Sequence, residues 1–225
     1  MQFFKNLALL FNLVVTIEYL TLIAAIFLLY KNRTGVWRLF IGLLFIVVCS
    51  ETIGWYLRYF LHRNNNWVFN INMIITVTFV LWILSTTETL KRARKPIYFL
   101  TVAFLITAIY NLFFFQGFWQ YNQYTEAIGD IIQVIVCCFV FYSFVKEAAY
   151  RNLLGYEYFW LTNGILFSSM GSAFLYIFPT VLANFQKHTG INIFTILNNI
   201  LNILLYGSLI IAFICRNRNT KSLQA

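Results

Sequence analysis

The sequence predicts an all-α integral membrane protein, a single domain over residues 1–225 built as a bundle of seven transmembrane helices. Two observations predict this class. Of the 225 residues, 61% are hydrophobic and only 10% are charged, which is far from the composition of a soluble domain. In addition, seven apolar runs of about 20 residues follow one another, and each matches the length that a helix needs to cross a ~30 Å hydrocarbon core.

Short connections separate the seven predicted spans. The spans cover roughly residues 7–30, 36–60, 67–87, 96–115, 124–146, 157–179 and 191–215. Consecutive spans should therefore pack as antiparallel neighbours, and no stretch has the length of a second domain. The first run is long enough to remain as a span, so we expect no cleaved signal peptide. We expect a multi-pass protein of the cell (inner) membrane, surrounded by membrane lipid.

Lysine and arginine residues predict the orientation, because short loops rich in them stay on the cytoplasmic side. Of the 16 basic residues, only Lys5, Arg58, Arg63 and Lys187 fall on one side of the predicted spans. The others lie in the first, third and fifth connections and in the tail. The N-terminus is therefore predicted outside and the C-terminus in the cytoplasm. The net charge of +9 follows from this topology and does not indicate nucleic-acid binding.

Aromatic residues near the predicted span ends, among them Trp37 and Tyr121, have the positions of interfacial anchors. The cysteines lie inside spans or at a span end without metal-like CxxC spacing, so they are predicted to be small apolar core residues.

Carboxylates inside the predicted spans are the main functional signal. An acid that faces hydrocarbon costs at least ~2.5 kcal/mol even on insertion scales, so such groups turn toward a partner, a cavity or a pore. Glu126 and Asp130 lie one helical turn apart in the fifth span, with Gln133 on the same face. Glu18 lies near the middle of the first span and Glu51 slightly outward of the middle of the second. These depths predict an outward-opening polar pocket.

Amide side chains extend this pattern. The last span carries Asn192, Thr195, Asn199, Asn202 and Tyr206 at helical spacing, which predicts one polar face. The candidate ligand-binding residues are Glu18, Glu51, Asn72, Asn111, Glu126, Asp130, Asn199 and Asn202. Three alternatives stay open: the asparagines can join helices to one another, Glu18 and Glu51 can form a structural pair, and Glu126 can reach the solvated headgroup region.

The two histidines, His62 and His188, lie in or near predicted outer loops, where they could complete a metal site with Glu126 or Asp130. No two-histidine helical motif supports that alternative. The sequence thus predicts no metal site, no cofactor and no catalytic residue.

A retinal pigment is excluded, and a second class of seven-helix protein is disfavoured. The last predicted span contains no lysine that could form a retinal Schiff base. The spans also lack the intramembrane histidines on which the zinc hydrolases of the adiponectin-receptor and ceramidase type depend.

In span count and predicted orientation alone, the chain resembles the seven-helix input modules of bacterial membrane sensors. The resemblance implies a sensor or receptor-like protein that signals through a cytoplasmic or membrane partner, which would contact the basic inner loops around residues 91–95 and 216–221. A homo-oligomer would serve the same purpose. The other hypotheses are a small-molecule or proton-coupled transporter, a structural subunit of a membrane complex, and a lipid-modifying enzyme. The last resembles lysoplasmalogenase-type hydrolases in size only.

Overall fold

The computed structural model describes residues 13–30, 35–87, 90, 93–147 and 153–222, and in these residues the chain is almost entirely helical. The helices are α1 (Leu13–Leu29), α2 (Gly35–Tyr59), α3 (Asn66–Ser85), α4 (Arg94–Tyr110, continued by a π-helical turn over Asn111–Phe115), α5 (Gln123–Glu147), α6 (Glu157–Ile177), α7 (Pro179–Thr189) and α8 (Ile193–Ser222). The predicted all-α class is confirmed. Residues 7–12 of the first predicted span, and Lys91 and Arg92 of the predicted basic loop, lie outside the described residues.

Five of the described helices are long and apolar enough to cross a membrane, namely α2, α3, α4 with its π-helical turn, α5 and α8. A sixth span results if α6 and α7, which are bent by 78° relative to each other, are counted together. The described part of α1 is a shorter apolar helix. These helices are compatible with a multi-pass membrane protein.

Six helices form a closed ring. Around it, α1 packs on α2, α2 on α3, α3 on α5, α5 on α6, α6 on α8, and α8 returns to α1. Helix α4 lies outside the ring against α3 and α5. In this order α1 and α5 are opposite each other, so side chains that point inward from these two helices face one another across the bundle.

The sequence between the last two predicted spans folds differently from our expectation. We predicted a sixth span to residue 179 followed by a loop, but the chain bends after Phe178 and forms α7. Pro179 occupies the first turn of α7, where a missing N–H costs nothing. Gly190 ends the helix with a φ of 72°, and its N–H donates to Gln186 O at 2.8 Å. The chain thus turns sharply at a proline and stops at a glycine.

Helix α8 is longer than the predicted span, which ended at residue 215. Its last turns are held by α6: Arg216 Nη1 donates to Glu157 Oε1 at 2.8 Å, and Asn219 Nδ2 donates to Glu157 Oε2 at 2.7 Å. Glu157 is only 4% exposed. A buried carboxylate with a cation and an amide as partners satisfies the rule for buried charge, so polar contacts extend the helix beyond its apolar segment.

Large aromatic side chains fill one end of the ring. We call this group, Trp37, Phe40, Phe79 and Phe213, the aromatic floor. Phe40 lies at its centre, with ring centroids 5.5 Å from Trp37, 5.4 Å from Phe213 and 5.1 Å from Phe79. Trp37 is 1% exposed, so its prediction as an interfacial anchor is wrong. It packs inward because the ring leaves a space that only large side chains fill.

The contact between α6 and α8 depends on a missing side chain. A Cβ atom at Gly164 would lie 2.6 Å from Ser208 Cβ and 3.3 Å from Leu205 O. We expect Gly164→Ala to lower the free energy of unfolding by about 1–3 kcal/mol, because it overpacks this contact. The matched control is Gly42→Ala, since a Cβ there has no neighbour within 4 Å. The control should be neutral or more stable through helix propensity. Equal thermal shifts in both variants would contradict this close approach.

Candidate functional site

A cavity of about 740 Å³ lies inside the ring. It occupies the end where α1, α3, α5 and α8 begin and where α2 and α6 end. We call this the cavity end, and the end that holds the aromatic floor is the floor end. The cavity extends from the buried residues Gln133 and Tyr206 to the exposed residues Arg58 and Pro179. It therefore opens at the helix ends, and on α3 it reaches Val80, next to Phe79 of the aromatic floor.

Four acids line this cavity, and all of them are residues that the sequence singled out. Glu18 projects from α1, Glu51 from α2, and Glu126 and Asp130 from α5. Glu18 is 3% exposed and Asp130 is 7% exposed, whereas Glu51 and Glu126 are half-buried. Because these helices belong to one ring, residues far apart in sequence share a single space.

The acids form two pairs on opposite walls. Glu18 interacts electrostatically with Glu51, and Asp130 interacts with Glu126. The first pair lies on the adjacent helices α1 and α2, and the second lies on α5, which faces α1 across the ring. Among the described residues, no group of three or more His, Cys, Asp or Glu side chains is arranged to hold a metal ion.

A tyrosine fixes the first pair. The hydroxyl of Tyr206, on α8, donates to Glu18 Oε1 at 3.1 Å and is itself buried. The other oxygen, Glu18 Oε2, is buried and has no hydrogen-bond partner among the described residues. One carboxyl oxygen is therefore held in place while the second remains available to a donor in the cavity.

Tyrosine and serine hydroxyls surround the second pair. Tyr121 donates a hydrogen bond to Glu126, and its hydroxyl oxygen lies 2.9 Å from that of Tyr176 on α6. Ser169 and Ser172, also on α6, face the carboxyl group of Asp130. Asp130 Oδ2 is nevertheless buried without a hydrogen-bond partner in the described part of the chain. Each wall thus has one deeply buried carboxyl group with an unpaired oxygen in the described part of the chain.

An asparagine of α3 positions Tyr121. Asn70, which is fully buried, donates to Phe118 O at 3.2 Å and to Gln120 O at 2.8 Å, and it accepts from Asn122 N at 3.0 Å. The loop over residues 118–122 is thereby fixed to the start of α3. Tyr121 turns inward from this loop and lines the cavity, so its prediction as an interfacial anchor is wrong.

The predicted amides divide into two sets. Asn72 and Asn202 line the cavity, whereas Asn111 and Asn199 do not. Asn111 Nδ2 instead donates to Gln116 Oε1 at 2.7 Å and to Thr125 Oγ1 at 2.6 Å, which joins the π-helical turn to α5. Its amide donors are therefore used within the fold, while Asn111 Oδ1 is buried without a partner among the described residues.

The predicted polar face of α8 overlaps the cavity lining only in part. Asn198, Asn202 and Tyr206 face the cavity at a spacing of four residues, and Asn199 lies outside the lining. Asn192 is exposed, and its Oδ1 accepts from Thr195 N at 3.1 Å near the start of the helix. Sequence reasoning therefore missed Asn198, which only the four-residue spacing to Asn202 could have indicated.

The histidines are remote from the acids. His62 is exposed after α2, and His188 is exposed at the end of α7. Neither lines the cavity, so the alternative in which a histidine completes a metal site with Glu126 or Asp130 is not supported.

Hydrogen-bond acceptors dominate the unsatisfied atoms of the cavity. Besides the two carboxyl oxygens, Asn72 Oδ1 and Thr76 Oγ1 are buried without a partner among the described residues. A buried polar atom without a partner costs roughly 1–3 kcal/mol, so such atoms favour a ligand that donates hydrogen bonds. Carboxylates in a low-dielectric cavity also favour positive charge. The site is therefore suited to a protonated amine or another cation with N–H donors.

Comparisons with known proteins leave the cavity as the only guide to function. No protein-family model, no curated protein and no solved structure matches this chain.

Asn70 provides a test of how the site is assembled. We expect Asn70→Ala to lower the free energy of unfolding by about 2–4 kcal/mol, because buried backbone groups of the 118–122 loop lose their partner. Amide hydrogen exchange of this loop should also increase. Asn64→Ala is the control: its amide donates to Trp119 O at 2.7 Å in an exposed position and should cost much less. Equal protection of the loop in both variants would refute the role of Asn70.

Proposed function

We propose that this chain is a seven-helix integral membrane sensor or receptor-like protein whose cavity binds a small organic cation. The observation that carries this proposal is the convergence of Glu18, Glu51, Glu126 and Asp130 on one cavity that is closed by the aromatic floor. Placing carboxylates inside a membrane costs free energy, and a cationic ligand in a shared cavity offsets this cost.

The membrane topology is part of the proposal. Counting α1 together with residues 7–12 as one span, and α6 with α7 as another, gives seven spans. The cavity end is then extracellular, the N-terminus lies outside and the C-terminus lies in the cytoplasm, as the distribution of basic residues predicts. In this arrangement the cavity receives its ligand from the outer side of the cell (inner) membrane.

The closed floor favours a receptor over a transporter. Phe40 and Phe213 lie about two helical turns beyond the cavity residues Val47 and Tyr206, and they are 1% and 0% exposed. A transporter requires a polar route to the second side of the membrane. The floor end offers tightly packed aromatic rings instead, so the transporter remains the second hypothesis.

Helix α8 is the element best placed to carry a signal. It lines the cavity with Asn198, Asn202 and Tyr206, and its other end carries Arg216, Arg218 and Lys221. A ligand that contacts the first part can shift the whole helix, since a helix moves largely as a rigid unit. We propose that this basic end meets an acidic signalling partner, a second copy of the chain or anionic lipid.

Thermal unfolding of the purified chain in nanodiscs of neutral lipid tests whether binding requires a positive charge on the ligand. Butylammonium, butanol and butyrate have similar size and differ in charge. A thermal shift caused only by partitioning into the lipid would not require a positive charge on the probe. Only the cation should raise the melting temperature, by several degrees near 100-fold its Kd, because binding then contributes about 2.7 kcal/mol. Equal shifts for the alcohol and the cation, or no shift with any amine, would refute the proposal.

A further inference from the structure

We propose that the cavity takes a linear dication, a diamine or a longer polyamine, with one ammonium group bound at each wall. This inference rests on the proposed function and narrows its ligand class. It depends on how the acids are distributed within the cavity.

The two acid pairs are separate sites. Glu18 and Glu51 interact with each other, as do Glu126 and Asp130, and the helices α1 and α5 that carry the deepest acids face each other across the ring. Neighbouring helix axes lie ~8–10 Å apart, so opposite axes in a ring of six lie roughly 16–20 Å apart. In the described residues no three acids come close enough to hold one ion, so the two pairs do not converge on a single ion.

Each wall offers a matched receptor for a positively charged N–H donor. On one wall Tyr206 holds Glu18 Oε1 and leaves the buried Oε2 unpaired, and on the other the buried Asp130 Oδ2 is unpaired. These two carboxyl groups are 3% and 7% exposed. A monoamine would satisfy one of them and leave the other buried without a counter-charge, which is the costly state.

The space between the walls is lined by apolar side chains together with the polar side chains of Asn72, Thr76, Asn198 and Asn202. Met73 and Val77 of α3 and Leu201 and Leu205 of α8 line the same cavity, and Met73 and Val77 are 8% and 4% exposed. Such a surface favours contact with methylene groups. Positive charge at both ends with methylene groups between them is the chemistry of an α,ω-diaminoalkane, and the polar side chains between the walls can accept from the inner N–H groups of a longer polyamine. A metal ion does not fit this description, since no three candidate ligands come together in the described residues.

Isothermal titration of the full chain in nanodiscs of neutral lipid tests the inference. The probes are butane-1,4-diamine, hexane-1,6-diamine and octane-1,8-diamine, each beside the monoamine of equal carbon number. We expect one diamine to bind at least 10-fold more tightly than its monoamine, with an optimum in the length series. Glu18→Gln and Asp130→Asn should each lower the affinity for that diamine to the affinity for the monoamine of equal carbon number. The control variant Asn199→Ala, outside the lining, should leave every affinity unchanged.

The outcomes separate this inference from the proposed function. Equal binding of diamines and monoamines without a length optimum would overturn the proposal of a dication ligand. The proposal of a receptor for a single cation would still stand. Loss of both ligand types in one acid variant, with no effect of the other, would place all binding on one wall and also overturn the proposal of a dication ligand. Absence of binding by any amine would overturn both proposals. If Glu18→Gln does not fold, Glu51→Gln tests the same wall at a half-buried position.

Discussion

Replacing Glu18 by glutamine is expected to weaken binding of the preferred diamine by about 10- to 100-fold while making the unliganded protein more stable. A hydrogen bond to a charged group contributes roughly 1.5–3 kcal/mol, and each 1.4 kcal/mol is a factor of ten in affinity. Glutamine keeps the acceptor for Tyr206 at Glu18 Oε1 and removes a carboxylate that is 3% exposed. The melting temperature without ligand should rise because a neutral amide costs less to bury.

The opposite signs of these two effects identify a binding residue. If Glu18 served only to hold α8 through Tyr206, Glu18→Gln would not raise the stability and would leave cation binding unchanged. Tyr206→Phe is the matched control, because it removes the hydroxyl that orients Glu18 and keeps the charge. This control should lower both stability and affinity, each by less than about tenfold in the equilibrium constant. An unstable Glu18→Gln variant with normal cation affinity would contradict the assignment.

The second large effect is expected at the floor end. Arg216→Ala should lower the free energy of unfolding by about 3 kcal/mol or more, because it leaves Glu157 buried without its cation. The two side chains form a salt bridge of 2.8 Å, and Glu157 is 4% exposed. Thermal or denaturant unfolding in detergent measures the loss.

Two further variants test whether the loss of stability in Arg216→Ala comes from the missing positive charge. Arg218→Ala removes an exposed arginine from the same helix and should change stability by about 0.5 kcal/mol at most. The double variant Glu157→Gln with Arg216→Met should recover most of the loss, since the neutral amide still accepts from Asn219. If the double variant is as unstable as Arg216→Ala, the arginine acts instead through its position 5.8 Å from the Trp37 ring.

The acids of the cavity could be predicted because their burial has few physical solutions. A carboxylate in an apolar span must meet a partner or a cavity, so the positions of Glu18 and Asp130 in the sequence are enough to indicate an enclosed site. The sequence did not predict which walls of the cavity face each other. This pairing depends on α4 leaving the ring and on α5 facing α1, and neither follows from the order of the helices along the chain.

The inward face of the amide-bearing helix α8 was predicted correctly only in part, for a physical reason. In a membrane both lipid and protein interior are apolar, so a span has little of the contrast that fixes the inward face of a soluble helix. Asn202 and Tyr206 were predicted correctly, whereas the predicted Asn199 lies about 100° around the helix from Asn198, one residue at 3.6 residues per turn. Asn70 was missed because its partners lie about 50 residues away in a loop.

The central claim is that an acid-lined cavity opens to the outside of the membrane, and the reactivity of one engineered cysteine tests it most directly. Asn198→Cys, in a background without Cys49, Cys137, Cys138 and Cys215, places a thiol in the cavity lining. Thr189→Cys, exposed at the end of α7, is the control. Intact cells are treated with membrane-impermeant methanethiosulfonates of similar size, one cationic and one anionic. Our account predicts reaction from outside at both positions, and about tenfold or greater preference for the cationic reagent at Asn198→Cys alone. Equal rates for the two reagents there, or reaction only after the cytoplasmic side is exposed, would contradict it.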